Sequence, residues 1–164
     1  TNLSKIKVQE SDLNEIIVYE ANDVKITAFR VNHGVVKLAY GYKFETQDKK
    51  IILSGDTSYS QNLVNHADNA DVLIHEITAA NSTVIEKNKR LQKIISYHTT
   101  PESLIRVLQN SKPKLTLLNH ILLFGISEKE VLATLRTNAN QEVFFGKDLL
   151  KISVGKSIVM TSPN

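Results

Sequence analysis

The sequence predicts a mixed α/β fold, with a sheet that helices cover on one face. Three observations carry that expectation. Short β-rich runs separated by turn residues crowd the first third of the chain, and apolar strand-like runs then alternate with helical patterns. The composition, 41% hydrophobic and 23% charged with 6 Gly and 3 Pro in 164 residues, is that of an ordinary globular protein. A chain of this length fits one domain and can bury a sizeable core.

The elements follow in order. Glu15 to Tyr19, Val24 to Val31, Leu38 to Phe44 and Ile51 to Leu53 read as strands, and Asn22-Asp23 and Gln47-Asp48 as turns between them, which suggests an antiparallel meander. Ser60 to Ala67 reads as a short helix, Asp71 to His75 as a buried strand, and residues 79–94 as a polar helix or a loop containing one. Thr100-Pro101 opens a helix with a threonine cap and proline at the first position, running to about Gln109. Lys112-Pro113-Lys114 breaks it, and Leu115 to Leu118 forms another buried strand. Ser127-Glu128-Lys129-Glu130 is a capping-box pattern that starts a helix to about Thr137. Strands are expected near Glu142 to Phe145, Leu149 to Val154 and Ser157 to Met160, with no internal repeat and no linker.

Several function classes are disfavoured. The excess of 20 basic over 17 acidic side chains, a net charge of +3, is small and dispersed, and does not argue for nucleic-acid binding. Lys87-Asn88-Lys89-Arg90 reads as a solvated helix face. No apolar run approaches the roughly 18 residues of a membrane-spanning helix, and Thr1-Asn2-Leu3-Ser4-Lys5 shows no signal-peptide core. With no cysteine, any metal must be held by His, Asp or Glu.

Polar residues collect where apolar strands are expected to stop. In "ILSGDT", Asp56 follows Ile51-Ile52-Leu53; it is either a turn residue capping its own backbone or a side chain held to bind something. His75-Glu76 follow Val72-Leu73-Ile74, His120 follows Leu115 to Leu118, His33 follows Phe29-Arg30-Val31, and His98 precedes a helix start. In open α/β sheets functional groups gather beyond the carboxyl ends of strands. Imidazole and carboxylate are a ligand set for Zn²⁺, Mn²⁺ or Fe, and a carboxylate can bridge two ions. His66, inside a predicted helix, reads as structural.

"ITAFRVNHGVVKLAYGYKF", "ILSGDT", "ADVLIHEIT", "YHTTPE" and "LTLLNHI" occur in an order and spacing that resembles the C-terminal half of metallo-β-lactamase-fold hydrolases. The nearest branch contains ribonuclease Z and arylsulfatase-like or phosphodiesterase-like relatives. The resemblance implies that His33, Asp56 and His120 are metal ligands, Asp56 bridging two ions. It implies that Glu76 orients His98, which lies near the reacting ester and donates a proton or steadies negative charge. The cofactor would be two divalent ions, zinc ahead of manganese or iron. The implied activity is hydrolysis of a phosphodiester, sulfate ester or related ester by metal-activated water.

Two departures shape this expectation. The family's His-x-His-x-Asp-His motif is absent, so residues 1–164 are expected to be the C-terminal αβ half of a four-layer αββα domain. The partner would be the missing N-terminal half, and this chain alone would be inactive, with incomplete metal occupancy. The long arm with which bacterial ribonuclease Z enzymes grip transfer RNA is also missing between His33 and Asp56. Transfer-RNA 3′ processing is therefore the alternative, beside a non-catalytic α/β module, and a small ester is the expected substrate. An inner sheet face without its partner would favour a homodimer or higher oligomer.

Overall fold

A computed structural model describes residues 14–162 of the chain. The N-terminal stretch read above for a leader lies outside the described residues. A seven-stranded sheet runs in the order β1 (Glu15–Ala21), β2 (Val24–Arg30), β3 (Tyr40–Glu45), β4 (Lys50–Leu53), β5 (Val72–Ala80), β6 (Leu115–Phe124), β7 (Glu142–Phe145). The first four strands pair antiparallel and β4 to β7 pair parallel, so the meander passes into crossover units inside one sheet. Helices α1 (Gln61–Ala67), α2 (Ser82–Glu86), α3 (Lys89–Ile95), α4 (Pro101–Ser111) and α5 (Glu128–Asn138) fill the connections after β4. A separate hairpin, β8 (Lys151–Val154) with β9 (Ile158–Thr161), follows.

The caps explain the helix boundaries. Ser60, Asn81, Asn88, Thr100 and Ser127 each accept a hydrogen bond from an amide of the first turn. Ser127 and Glu130 form the expected capping box. The stretch 79–94 is resolved into the end of β5 and two short helices, because Asn81 and Asn88 each start one. Lys87, Lys89 and Arg90 are exposed there, as a solvated face should be.

One face of the sheet carries the core. Phe29, Ile52, Leu73, Ile77, Leu118 and Val143 pack with Leu63 of α1, Leu104 and Leu108 of α4 and Leu135 of α5. Phe29 stacks on His66 of α1 with ring centroids 4.1 Å apart, which gives that histidine its structural place. Gly41 lies opposite Phe29, where a Cβ would come within 2.6 Å of the ring. On the other face Ile26, Phe44, Ile51, Leu53, Ile74 and Phe144 are only partly covered and Tyr42 is exposed. Cross-strand register makes these residues contiguous: Ile26 faces Phe44, Phe44 faces Ile51, Tyr42 faces Leu53, Leu53 faces Ile74 and Leu117 faces Phe144.

One expectation is corrected. His75-Glu76 and Asn119-His120 do not end their strands: β5 continues to Ala80 and β6 to Phe124. The apolar residues Ile77, Ala79, Ile121 and Leu123 sustain parallel pairing beyond the polar pairs. A bulge interrupts the ladder at that point, since Glu76 faces Asn119 while Ile77 faces Ile121, leaving His120 as the extra residue of β6. Among the described residues no helix is long and apolar enough to cross a membrane.

Candidate metal centre

His33, Asp56, Glu76, His98 and His120, spread over 88 positions of sequence, meet at one place. The His33 and His98 rings are edge to face at 4.9 Å, and the His98 and His120 rings are stacked at 5.4 Å. His120 Nδ1 lies 3.6 Å from Asp56 Oδ1. One potential ligand atom from each of Glu76, His98 and His120 falls within 4.8 Å of the other two.

Local structure accounts for each placement. His33 leaves β2 on a tight turn in which Val36 N–H donates to the His33 carbonyl at 2.9 Å. Gly34, at φ +54°, passes beneath the Tyr97 ring, where a Cβ would sit 2.0 Å from a ring carbon. Asp56 follows Gly55, whose φ of +61° and close approach to the Tyr40 carbonyl (2.3 Å for a Cβ) leave no room for a side chain. His120 occupies the bulge with φ +40°, a left-handed conformation that L residues adopt at some energetic cost. The bulge turns its side chain to where an unbroken strand would not send it.

Glu76 is the buried hub. Its side chain is 1% exposed, and Oε1 accepts from Thr57 N–H at 3.1 Å and Thr99 N–H at 3.1 Å while lying 2.9 Å from His98 Nδ1. Thr99 Oγ1 donates to the Thr57 carbonyl at 2.6 Å, and Asn32 N–H donates to Thr57 Oγ1 at 3.2 Å, so the backbones beside His33, Asp56 and His98 are tied together. Thr57 and Thr99 have no role in the sequence analysis, although each stands next to a flagged residue; their main-chain amides do the work, and an amide leaves no trace in residue type.

Burial pushes the Glu76 carboxyl up to about 8, against the pull of the Thr57 and Thr99 amides and with a further upward push from the Asp56 charge. Burial also lowers His98, with His33 and His120 acting in the same direction and Asp56 opposing. These shifts leave His98 neutral at pH 7 beside a carboxyl that keeps a proton.

The donor set fits a divalent cation. His33 Nδ1 is 3.0 Å from the Tyr97 carbonyl, so it carries the hydrogen and leaves Nε2 as the basic nitrogen. Asp56 and His120 side chains are 44% and 42% exposed and available to an incoming ion. Glu76 and His98 satisfy the distance test for a ligand triplet, but Glu76 Oε1 is already occupied by its donors and both side chains are at least nine-tenths buried. Asp56 and His120 are therefore more open to an incoming ion than Glu76 and His98.

A mixed sheet with helices on one face and an imidazole-carboxylate cluster drawn from its central strands and the loops after β2 and β4 is that of a metallo-β-lactamase-type α/β chain. The chain belongs to the beta-lactamase superfamily: residues 2–121 match the family described as "Beta-lactamase superfamily domain". It is 21% identical over 149 residues to the ribonuclease Z of Mycobacterium sp. (strain KMS), covering 90% of this chain and 52% of that protein. The metallo-β-lactamase-fold protein YhfI from Bacillus subtilis superposes with a TM-score of 0.63 at 20% identity, over 79% of this chain and 49% of that one. Human tRNase Z, short form, superposes with a TM-score of 0.56 at 21% identity, over 82% and 45%. The chain spans about half the length of the curated relatives it matches.

Proposed function

We propose that this chain is the C-terminal αβ half of a dinuclear metal-dependent hydrolase that cleaves a phosphodiester, sulfate ester or related ester. The convergence of His33, Asp56 and His120 around the buried Glu76–His98 pair is the observation that carries this reading. His33, Asp56 and His120 would hold the metal, Asp56 between two ions, with further ligands supplied by the other half of the domain. Two divalent cations, zinc first and manganese or iron next, would lower the pKa of water and neutralise charge developing on the ester.

The chain's own residues then have distinct tasks. Glu76 fixes the His98 ring through Nδ1 and turns Nε2 toward the cluster. Donation of a proton from Nε2 to the departing oxygen leaves Nδ1 free to take up the proton that Glu76 keeps at neutral pH, so the pair ends with one proton fewer and is recharged from solvent. The Tyr97 carbonyl holds His33 in one tautomer. A cleft of about 510 Å³ beside His33, lined by Asn32, Gly34, Val36, Lys37, Ser58 and Ser96 among others, offers room for the non-reacting part of a small ester.

Alone, this chain is expected to be inert and to bind metal weakly, since three ligands from one half make an open site. The test is to express the intact protein, measure bound metal, and assay phosphodiester and aryl sulfate substrates. Full metal occupancy with no activity on any ester refutes the hydrolase reading. Similarity to two ribonuclease Z-type proteins favours transfer-RNA 3′ processing as the second reading; cleavage of a precursor transfer RNA in preference to small esters would establish it.

A further inference from the structure

We propose that His75, on the opposite face of β5 from Glu76, is a positioning residue that holds the Glu76 carbonyl and thereby fixes the bulge that aims His120 into the cluster. The proposal rests on the roles given above to Glu76 and His120.

His75 is fully buried between Leu73 and Ile77 on the helix-covered face, and both of those neighbours are apolar and fully buried. A leucine would satisfy the packing there. The imidazole does something a leucine cannot: its Nδ1 lies 2.7 Å from the Glu76 carbonyl oxygen, which can only accept, so Nδ1 carries the hydrogen. Nε2 is buried with no hydrogen-bond partner among the described residues. An orphaned acceptor in an apolar core lowers stability, so this histidine is a poor choice for the core and a good one only for the carbonyl.

The bond falls at the register shift. Glu76 faces Asn119, Ile77 faces Ile121, and His120 is left over with its φ of +40°. A bulge disrupts the ladder locally, and the His75 imidazole supplies a donor to a carbonyl at the disrupted point. Without that donor, the favourable response is to restore regular β5–β6 pairing. Because side chains alternate with a period of two, a one-residue slip would carry His120 to the opposite face and out of the cluster. His75 is thus coupled to the site through main chain alone, which explains why a residue that touches no substrate or metal sits beside Glu76.

The wild-type protein provides the first test. ¹⁵N-resolved NMR of the His75 ring should show the Nδ1–H tautomer; the Nε2–H tautomer overturns the proposal. In the intact protein, His75→Leu should unfold at a denaturant concentration no lower than wild type while metal affinity falls ~10–100-fold, the usual range for groups that orient ligands, and kcat falls more than KM rises. His75→Gln, whose side-chain amide can donate to the same carbonyl, should recover part of both. A folded His75→Leu with wild-type metal affinity and kcat overturns the proposal, as does a variant that loses stability alone. If the leucine variant does not fold, the tautomer and the glutamine variant decide. Wild-type protein that binds metal but cleaves no ester refutes the hydrolase reading and leaves the tautomer and metal-affinity readouts standing.

Discussion

Replacing Glu76 by alanine should leave two amide donors and the His98 Nδ1 without their partner at once, and the structure sets the size of the effect. Thr57 N–H, Thr99 N–H and His98 Nδ1 all converge on Glu76 Oε1, and the two threonines are fully buried. A buried polar group left unpaired costs about 1–3 kcal/mol, so three of them amount to roughly 3–9 kcal/mol before relaxation. Removing a desolvated carboxyl returns part of this, and a net loss of about 3 kcal/mol is expected. Glu76→Gln keeps a carbonyl oxygen for the two amides and, with His98 in its Nδ1–H tautomer, for the imidazole, and introduces one NH₂ where Oε2 has no partner, so its loss should be about 1 kcal/mol. Urea unfolding of this chain followed by circular dichroism measures both. The pH dependence has a definite sign. The folded carboxyl keeps its proton up to about 8 against a usual 4.5, so its stabilising contribution is present below 4.5 and lost as pH rises through about 8. Wild type should weaken over that window and Glu76→Gln should not. An alanine variant within about 1 kcal/mol of wild type, the scale of an ordinary surface substitution or less, would refute the account of Glu76 as the hub.

The other predictions concern separate parts of the molecule. His98→Ala in the intact protein should lower turnover by ~10²–10⁴ with metal content unchanged; loss of metal instead would make His98 a ligand. Burial holds His66 below its usual 6.5, so its contribution to stability is present above that value and lost as pH falls below it; His66→Phe, still able to stack on Phe29, should flatten the acid limb of the stability profile. The partly covered face carrying Ile26, Tyr42, Phe44, Ile51, Leu53, Ile74 and Phe144 should drive this chain, alone in solution, to self-associate; sedimentation showing a monomer at micromolar concentration would mean that the face is covered internally.

Much of this was legible in the sequence, for reasons that can be separated. Apolar runs bounded by Asn22-Asp23, Gln47-Asp48 and Lys112-Pro113-Lys114 placed the strands and breaks, because turn chemistry is local. Asp56 was flagged correctly as lying at a strand end: β4 stops at Leu53, and Gly55 provides the turn. Glu76 and His120 were flagged by the same rule although their strands run on, so they do meet His33 and Asp56 in space, but not for the stated reason. A bulge depends on how β5 and β6 pair across many intervening residues, and nothing in "LTLLNHILLF" announces it. The amides of Thr57 and Thr99 are equally silent, since any non-proline residue carries one. His75 looked like part of a motif, and only its burial and its 2.7 Å approach to the Glu76 carbonyl reveal a separate task.

The central claim is that His33, Asp56 and His120 form one half of a metal centre, and metal content tests it most directly. Intact protein, dialysed against zinc and then against chelator-free buffer, should retain about two equivalents, the number a bridging carboxylate serves. Asp56→Ala, His33→Ala and His120→Ala should each hold less, Asp56→Ala least of all because its carboxylate is shared, while the control His66→Phe keeps the full amount. Variants at all three positions that fold and retain wild-type zinc would contradict the account.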